Sequence, residues 1–275
     1  MIIPESYAPP EHLSVSQMRT WLRCRRQWAY RYILGVKEPP SWAMRGGTAM
    51  DDTMTAHNRD KMKGGGLGVS AAQDFFRDRV KAVAEEAGLP KDQDMAAVVD
   101  DGTKVLPVYF KELDPAVEPL AVQKEVKVDV GGVPMLGYID LVRDAGGSHR
   151  IVSDYKFTGR SPSQGAAAAS MQLAFYADAE GDPSGHVDLI ALVRTKQPKV
   201  VTDSHFVTEE DKASMRRMVR QVAAGIAAKR YPLASSENEW GNGPSSFCNP
   251  TRCGYWTICK GRKEGPLPIP GEAEV

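Results

Sequence analysis

Three residues on two consecutive apolar stretches carry the chemistry. Asp140 sits in "GYIDLV", and Asp154 and Lys156 sit in "IVSDYKFTG". Side chains of an extended chain alternate between faces, so Asp154 and Lys156 project on the same side. The stretches are joined by the short glycine-containing loop "RDAGGSH". They therefore read as antiparallel neighbours that bring Asp140 toward Asp154 at one end of a sheet. Two converging carboxylates repel each other unless a cation stands between them. Mg²⁺ suits that place, being hard, oxygen-seeking and slow to give up its waters. Such a site makes a bound water more acidic and offsets charge developing on a phosphate. Lys156 is then free to touch a phosphoryl oxygen or to orient the water. These are the parts that phosphodiester hydrolysis needs. An isolated D-x-K is more often a surface salt bridge, and the second Asp in the preceding apolar strand tilts the reading toward a site.

Periodicity indicates the elements that must position these residues. Residues 14–34 read as one helix, capped by Ser14 or Ser16. Met18, Trp21, Leu22, Trp28 and Ile33 follow a helical apolar pattern, with Arg19, Arg23, Arg25, Arg26 and Arg31 among them. "RGGTAMDDTMTAHNRDK" begins with glycines and continues as a helix, and residues 70–87 and 94–113 read as two amphipathic helices. Strands then take over in "LAVQKEVKVDV", "MLGYIDLV" and "RIVSDYKF". A helix over 164–180, the strands "HVDLIALVRT" and "KVVTDSHFV", and a helix from Thr208 as N-cap complete the series. The expectation is a single α/β domain over residues 1–275. It has a mainly helical portion at 14–113, an α/β core at 119–230 and a loop-rich tail at 231–275.

Bulk properties exclude several classes. Hydrophobic residues make up 42% and charged residues 25%, ordinary for a soluble globular chain. The formal net charge is zero, so any nucleic acid must be drawn by local patches. The start, "MIIPESYAPPEH", has neither the basic nor the apolar region of a signal peptide. No apolar run approaches the ~20 residues that span a bilayer. A cytoplasmic protein with no membrane partner is expected. Its four cysteines are Cys24 in "WLRCRRQW" and Cys248, Cys253 and Cys259 in "FCNPTRCGYWTIC". In a reducing compartment, clustered thiols more often hold metal than form disulfides.

Taken in order, "GGTAMD", "EVKV", "GYIDLV", "SDYKFTG" and "MQLAFYA" resemble the RecB-type PD-(D/E)XK nucleases, over about residues 14–260. The chain looks most like the four-cysteine iron–sulfur members, the AddB-like and CRISPR-associated exonucleases and their phage relatives. The resemblance implies a restriction-endonuclease-like core, a mixed central sheet flanked by helices, followed by a cysteine-rich tail. It implies Asp140 and Asp154 as ligands of Mg²⁺ or Mn²⁺, and Lys156 as the catalytic lysine. Gln172 and Tyr176 match the family's Q-x-x-x-Y, and their spacing puts both on one helical face. One departure stands out. The family's usual metal-ligand histidine after G-x-x-x is Asp51 here, itself a hard oxygen donor that can keep metal binding with an altered preference. His57, about 120° further around an ideal helix, is a poor substitute. Asp52 is the alternative if the register slips by one, and Glu125 is a weaker candidate.

The same resemblance implies that Cys24, Cys248, Cys253 and Cys259 hold a 4Fe–4S cluster that clamps the tail to the first helix, a structural role. The C-x₄-C spacing is longer than the family's common C-x₂-C, so zinc stands as the alternative. The implied partner is DNA, single-stranded or with free ends. The implied activity is an exonuclease of recombination, repair or replication in the bacterial cytosol, including that of a phage-infected host. Arg25 and Arg26, interleaved with Trp21, Trp28, Tyr30 and Tyr32, are the expected DNA contacts. Lys260, Arg262 and Lys263 could join them, whereas Arg216, Arg217 and Arg220 read as a solvated helix face. The competing reading is a catalytically weakened DNA-binding recombination factor that keeps the fold and the cluster. A zinc-stabilised regulator would leave "GYIDLV" and "SDYK" unexplained.

Overall fold

The computed structural model describes residues 10–38, 41–88, 93–147, 149–234 and 247–273. The stretch read for a targeting signal falls mostly on residues 1–9, and part of the loop-rich tail on 235–246, both outside the described residues. Five helices precede the sheet: α1 (Val15–Arg23), α2 (Arg25–Tyr32), α3 (Trp42–Lys61), α4 (Val69–Glu86) and α5 (Gln93–Glu112). The strands are β1 (Pro119–Asp129), β2 (Pro134–Gly146), β3 (His149–Thr158), β4 (His186–Val193) and β5 (Lys199–Phe206). They lie side by side in chain order in one sheet. β3 is antiparallel to β2 but parallel to β4, and β4 is antiparallel to β5. A parallel step needs a crossover, which α6 (Met171–Glu180) supplies, and α7 (Glu209–Ala227) follows the last strand. Among the described residues no helix is long and apolar enough to cross a membrane.

By chain contacts the molecule divides into two compact units. One comprises residues 40–126 and 137–213, the other 1–39, 127–136 and 214–275. In the first, one face of the sheet offers Leu141, Tyr155, Ile190 and Leu192 to a core shared with Met50, Met54, Phe76, Val105 and Tyr109 of the helices. Tyr155 alternates with Asp154 and Lys156, so β3 shows a period-two pattern in sequence, whereas β4 is largely apolar on both faces. Gly102 lets α5 close on α4: a Cβ there would stand 2.0 Å from Phe76 Cε1. In the second unit, Trp21, Trp28 and Tyr231 pack as a cluster with ring centroids 5.3–6.1 Å apart. Tyr30 donates its hydroxyl to the backbone oxygens of Ile258 and Leu267, and Tyr255 donates to Val36 O at 2.9 Å. These bonds tie the tail to α2 and to the segment that follows it.

Two helices differ from their expected spans. The single helix expected over 14–34 breaks at Cys24, whose backbone is extended at φ −162°, ψ 113°. Its N–H still closes α1 on Thr20 O, and its Sγ accepts the Gln27 N–H at 3.4 Å, so one residue ends a helix and caps the next. The apolar pattern continues across the break, and periodicity alone does not reveal it. The helix expected over 164–180 begins only at Met171, with Ser170 Oγ accepting Leu173 N–H. Residues 164–169 instead form turns pinned by Asp203, whose carboxylate accepts Gly165 and Ala167 N–H. The capping of α7 is as expected, a reciprocal pair between Thr208 and Asp211.

Candidate active site

The β2–β3 ladder runs from Gly146/His149 to Leu141/Ser153. One step beyond it, the Asp140 side chain takes over from the backbone: Asp140 Oδ2 accepts the Tyr155 N–H at 2.9 Å. β3 stays paired with β4 through Thr158. The strands therefore part where Asp140 and Asp154 sit, and a carboxylate fills the place of a ladder carbonyl. Lys156 Nζ lies 2.5 Å from Asp154 Oδ2, with Asp154 only 2% exposed and the Lys156 side chain 40% exposed. Alternation along β3 sends Tyr155 the other way, into the core, where its hydroxyl bonds that of Tyr109 at 2.9 Å. The pair is thus anchored in a strand locked from behind.

Asp51 on α3 joins these groups. Burial, the neighbouring Asp52 and the charge of Asp154 push its carboxyl up, against Lys156 and a hydrogen bond from Gln123. Asp140 is pushed up to about 7 by burial, then by Asp154 and Asp51, with Lys156 and the Tyr155 N–H opposing. Burial raises both groups first, and the neighbouring carboxylates, opposed by Lys156, add to it. Asp52 does not compete for the place, because its Oδ2 accepts both Nε (2.9 Å) and Nη2 (2.7 Å) of Arg79. His57 is committed elsewhere: its Nδ1 accepts Leu67 N–H, which makes Nε2 the donor to Asp114 Oδ1 at 2.7 Å. Glu125 is exposed and accepts the Tyr138 hydroxyl.

α6 brings Gln172 and Tyr176 into contact with each other, Gln172 Nε2 donating to the Tyr176 hydroxyl at 3.1 Å. Burial raises the Tyr176 hydroxyl, Gln172 lowers it, and the charges of Asp140 and Asp154 raise it again, so the ring end stands within the field of the carboxylates. Gly137 makes this approach possible. A Cβ there would lie 2.8 Å from Tyr176 Cε1 and 2.9 Å from Phe175 Cε1.

The donor chemistry of this cluster fits a hard divalent cation. Asp154 Oδ1 is buried and has no hydrogen-bond partner among the described residues, so a buried acceptor stands open beside the Lys156 contact. Among the described residues no group of three or more His, Cys, Asp or Glu side chains is arranged to hold a metal ion as it stands. Mg²⁺, however, keeps several waters and is commonly bound through only one or two carboxylates, and Asp140 and Asp154 supply two.

The remaining expected residues are distributed unevenly. All four cysteines are free and partly buried. They line one pocket with Tyr30, Phe247, Tyr255 and Trp256. Burial raises the Cys253 and Cys259 thiols; Cys24, Cys248 and Cys259 add to the first, and Cys24 to the second. Arg25 is exposed, with its guanidinium 5.5 Å from the Trp21 ring centroid. Arg26 is turned inward: its side chain is 12% exposed and its Nη1 lies 2.5 Å from Glu272 Oε2. Sequence reasoning missed Gln123 at the edge of the acidic cluster. It also missed Asp188, 1% exposed on β4, which binds Arg143 and accepts Ser204 Oγ at 2.6 Å. An acid inside the apolar run "HVDLIALV" was the available signal for the latter.

Comparison with known proteins agrees with this architecture. Among solved structures, a "putative exonuclease" from Eubacterium rectale superposes with a TM-score of 0.56 at 12% identity, covering 83% of this chain and 86% of that one. A second, SSO0001, gives a TM-score of 0.37 at 14% identity, covering 77% of this chain and 84% of that one. No curated protein sequence matches. The expected fold, a mixed sheet flanked by helices, is the one observed. The PD-(D/E)XK nuclease superfamily matches residues 12–260, and the chain belongs to that superfamily.

Proposed function

We propose that the protein is a divalent-metal-dependent DNA exonuclease that hydrolyses phosphodiester bonds, acting on single strands or free ends in recombination, repair or replication. The observation that carries this reading is the meeting of Asp140, Asp154 and Lys156 where β2 and β3 part, with a buried Asp154 oxygen left without a partner. Asp140 and Asp154 would hold Mg²⁺ or Mn²⁺, with Asp51 beside them. When bound, the ion supplies charge neutralisation at the phosphate and a more acidic attacking water. Lys156 would contact a phosphoryl oxygen, since its ammonium is part-exposed on a strand fixed by Tyr155. Gln172 would hold the Tyr176 hydroxyl in line beside the acids. The exonuclease choice follows the name of the Eubacterium rectale protein. Single-strand preference draws on the exposed Arg25 and on Arg23 over the exposed Phe247 ring, on which a base could stack.

The four cysteines around one pocket support the reading that they hold a 4Fe–4S cluster, with zinc as the alternative. Iron and acid-labile sulfide in anaerobically purified protein would support the cluster; zinc without sulfide would exclude it. The activity is tested with end-labelled linear DNA and Mg²⁺ or Mn²⁺. Wild type should shorten the DNA and Asp154→Ala should not. Equal, slow degradation by both would leave a DNA-binding factor without catalysis.

A further inference from the structure

We infer that Gln123 is a positioning residue of the candidate active site, holding the Asp51 carboxylate toward Asp154 and Lys156. The inference rests on the nuclease reading for its meaning, and on backbone geometry for its substance. Gln123 has φ +50°, in the left-handed region; among the described non-glycine residues only Lys229 shares such a value. A glutamine inside a strand gains nothing by itself from that conformation. The strand shows the consequence. Val122 packs on the core beneath the helices, while Val126 packs near Gly137 and Lys124 pairs with Glu180 of α6. Positions 122 and 124 should share a face in a regular strand, and here they do not. β1 therefore bulges at Gln123, on an edge strand, and a bulge re-aims the side chain that it carries.

Where it aims is specific. Gln123 Nε2 donates to Asp51 Oδ1 at 3.1 Å and to Thr55 Oγ1 at 3.3 Å, two positions one turn apart on α3. An amide is the suitable group here. It donates to a carboxylate without adding a charge that would neutralise the cluster in place of a cation, as Arg79 neutralises Asp52. Backbone strain kept at a functional cluster is accounted for when the strained residue orients a reacting or binding group.

Gln123→Gly separates the two roles, because glycine accepts the positive φ while losing the amide. It should melt no lower than wild type, yet bind Mn²⁺ about tenfold more weakly, the lower end of the effect for an outer-shell partner. Gln123→Glu, which sets a carboxylate against Asp51, should weaken binding in the same direction. Wild-type Mn²⁺ affinity in Gln123→Gly would overturn the inference. A second readout needs neither metal nor activity. The Gln123 side-chain amide protons should exchange with water more slowly in the wild type than in Asp51→Ala. Equal exchange would also overturn it. If wild type neither binds Mn²⁺ nor cuts DNA, the nuclease reading falls, and the amide exchange still decides the contact.

Discussion

The Asp140 carboxylate accepts the backbone N–H of Tyr155 one step past the last rung of the β2–β3 ladder. That bond explains how a sheet can open without leaving a buried donor unpaired: the side chain replaces the missing strand carbonyl. It also fixes Asp140 beside Asp154, so the acids meet because the backbone requires a partner there. Asp140→Asn keeps an acceptor for Tyr155 and removes a charge from the repelling cluster. The metal-free variant should therefore gain stability on the order of 1 kcal/mol, about 2–4 °C in Tm for a domain of this size. It should lose nuclease activity at the same time. Calorimetry and DNA cleavage on one preparation check both; a drop in Tm would show that the acids do not destabilise one another.

Lys156 pairs with Asp154 at 2.5 Å, and its ammonium opposes the upward shift of the Asp140 carboxyl. Lys156→Met should lower the cleavage rate roughly 10²–10³-fold, the range for removing one preorganised charge-stabilising group. KM for DNA should change far less. Single-turnover rates against DNA concentration separate the two, and a loss confined to KM would make Lys156 a binding residue only.

Gly137→Ala tests the seating of α6. The added methyl meets Tyr176 and Phe175 at under 3 Å, and the well-packed neighbours must move. Overpacking of this kind costs about 1–3 kcal/mol. Because the displaced ring is the one beside the carboxylates, cleavage should fall more than the remaining folded fraction accounts for. Chemical denaturation and activity of the folded protein measure the two effects, and a stable, fully active variant would place Tyr176 outside the site.

The strands and the pairing of Asp140 with Asp154 and Lys156 were legible because a half-buried sheet writes its period into the sequence. In "SDYK" the polar Asp154 and Lys156 flank the core-facing Tyr155, and in "GYIDLV" Asp140 stands between the buried Ile139 and Leu141. The helix break at Cys24 was not legible, since an extended residue between two helices leaves the apolar spacing almost unchanged. The inward turn of Arg26 depends on Glu272, which is distant in sequence. Gln123 was invisible for a related reason: a bulge shifts the phase of the alternation by one residue, and "LAVQKEVKV" still reads as a regular strand.

The cysteine pocket makes its own prediction. Cys24 Sγ accepts the Gln27 N–H at the N-terminus of α2, at the junction of α1 and α2. Cys24→Ser keeps the cap but loses the soft donor. On the reading that the four cysteines hold a metal, it should retain the two helices by circular dichroism while losing metal content and any protection of residues 247–273 from protease. Unchanged metal content in the variant would remove Cys24 from the set.

Acid stability isolates the cluster formed by His57, Lys61 and Asp114. Burial pushes the Asp114 carboxyl up, but the hydrogen bond from His57 Nε2 and the contact with the Lys61 ammonium at 3.2 Å outweigh it, and the net shift is downward. A carboxyl whose folded value lies below its unfolded one stabilises the fold above the unfolded value, about 3.9 for Asp. That stabilisation fades as pH falls through the lower folded value. Asp114→Asn removes the titrating group and the charged acceptor, costing about 1–2 kcal/mol at neutral pH. Urea denaturation from pH 7 to pH 2.5 should show the gap between wild type and Asp114→Asn constant down to about pH 4 and closing below it. A gap that persists unchanged at the acid end would mean that the carboxylate is not ionised against His57 and Lys61, and that α3 is held at Asp114 by shape alone.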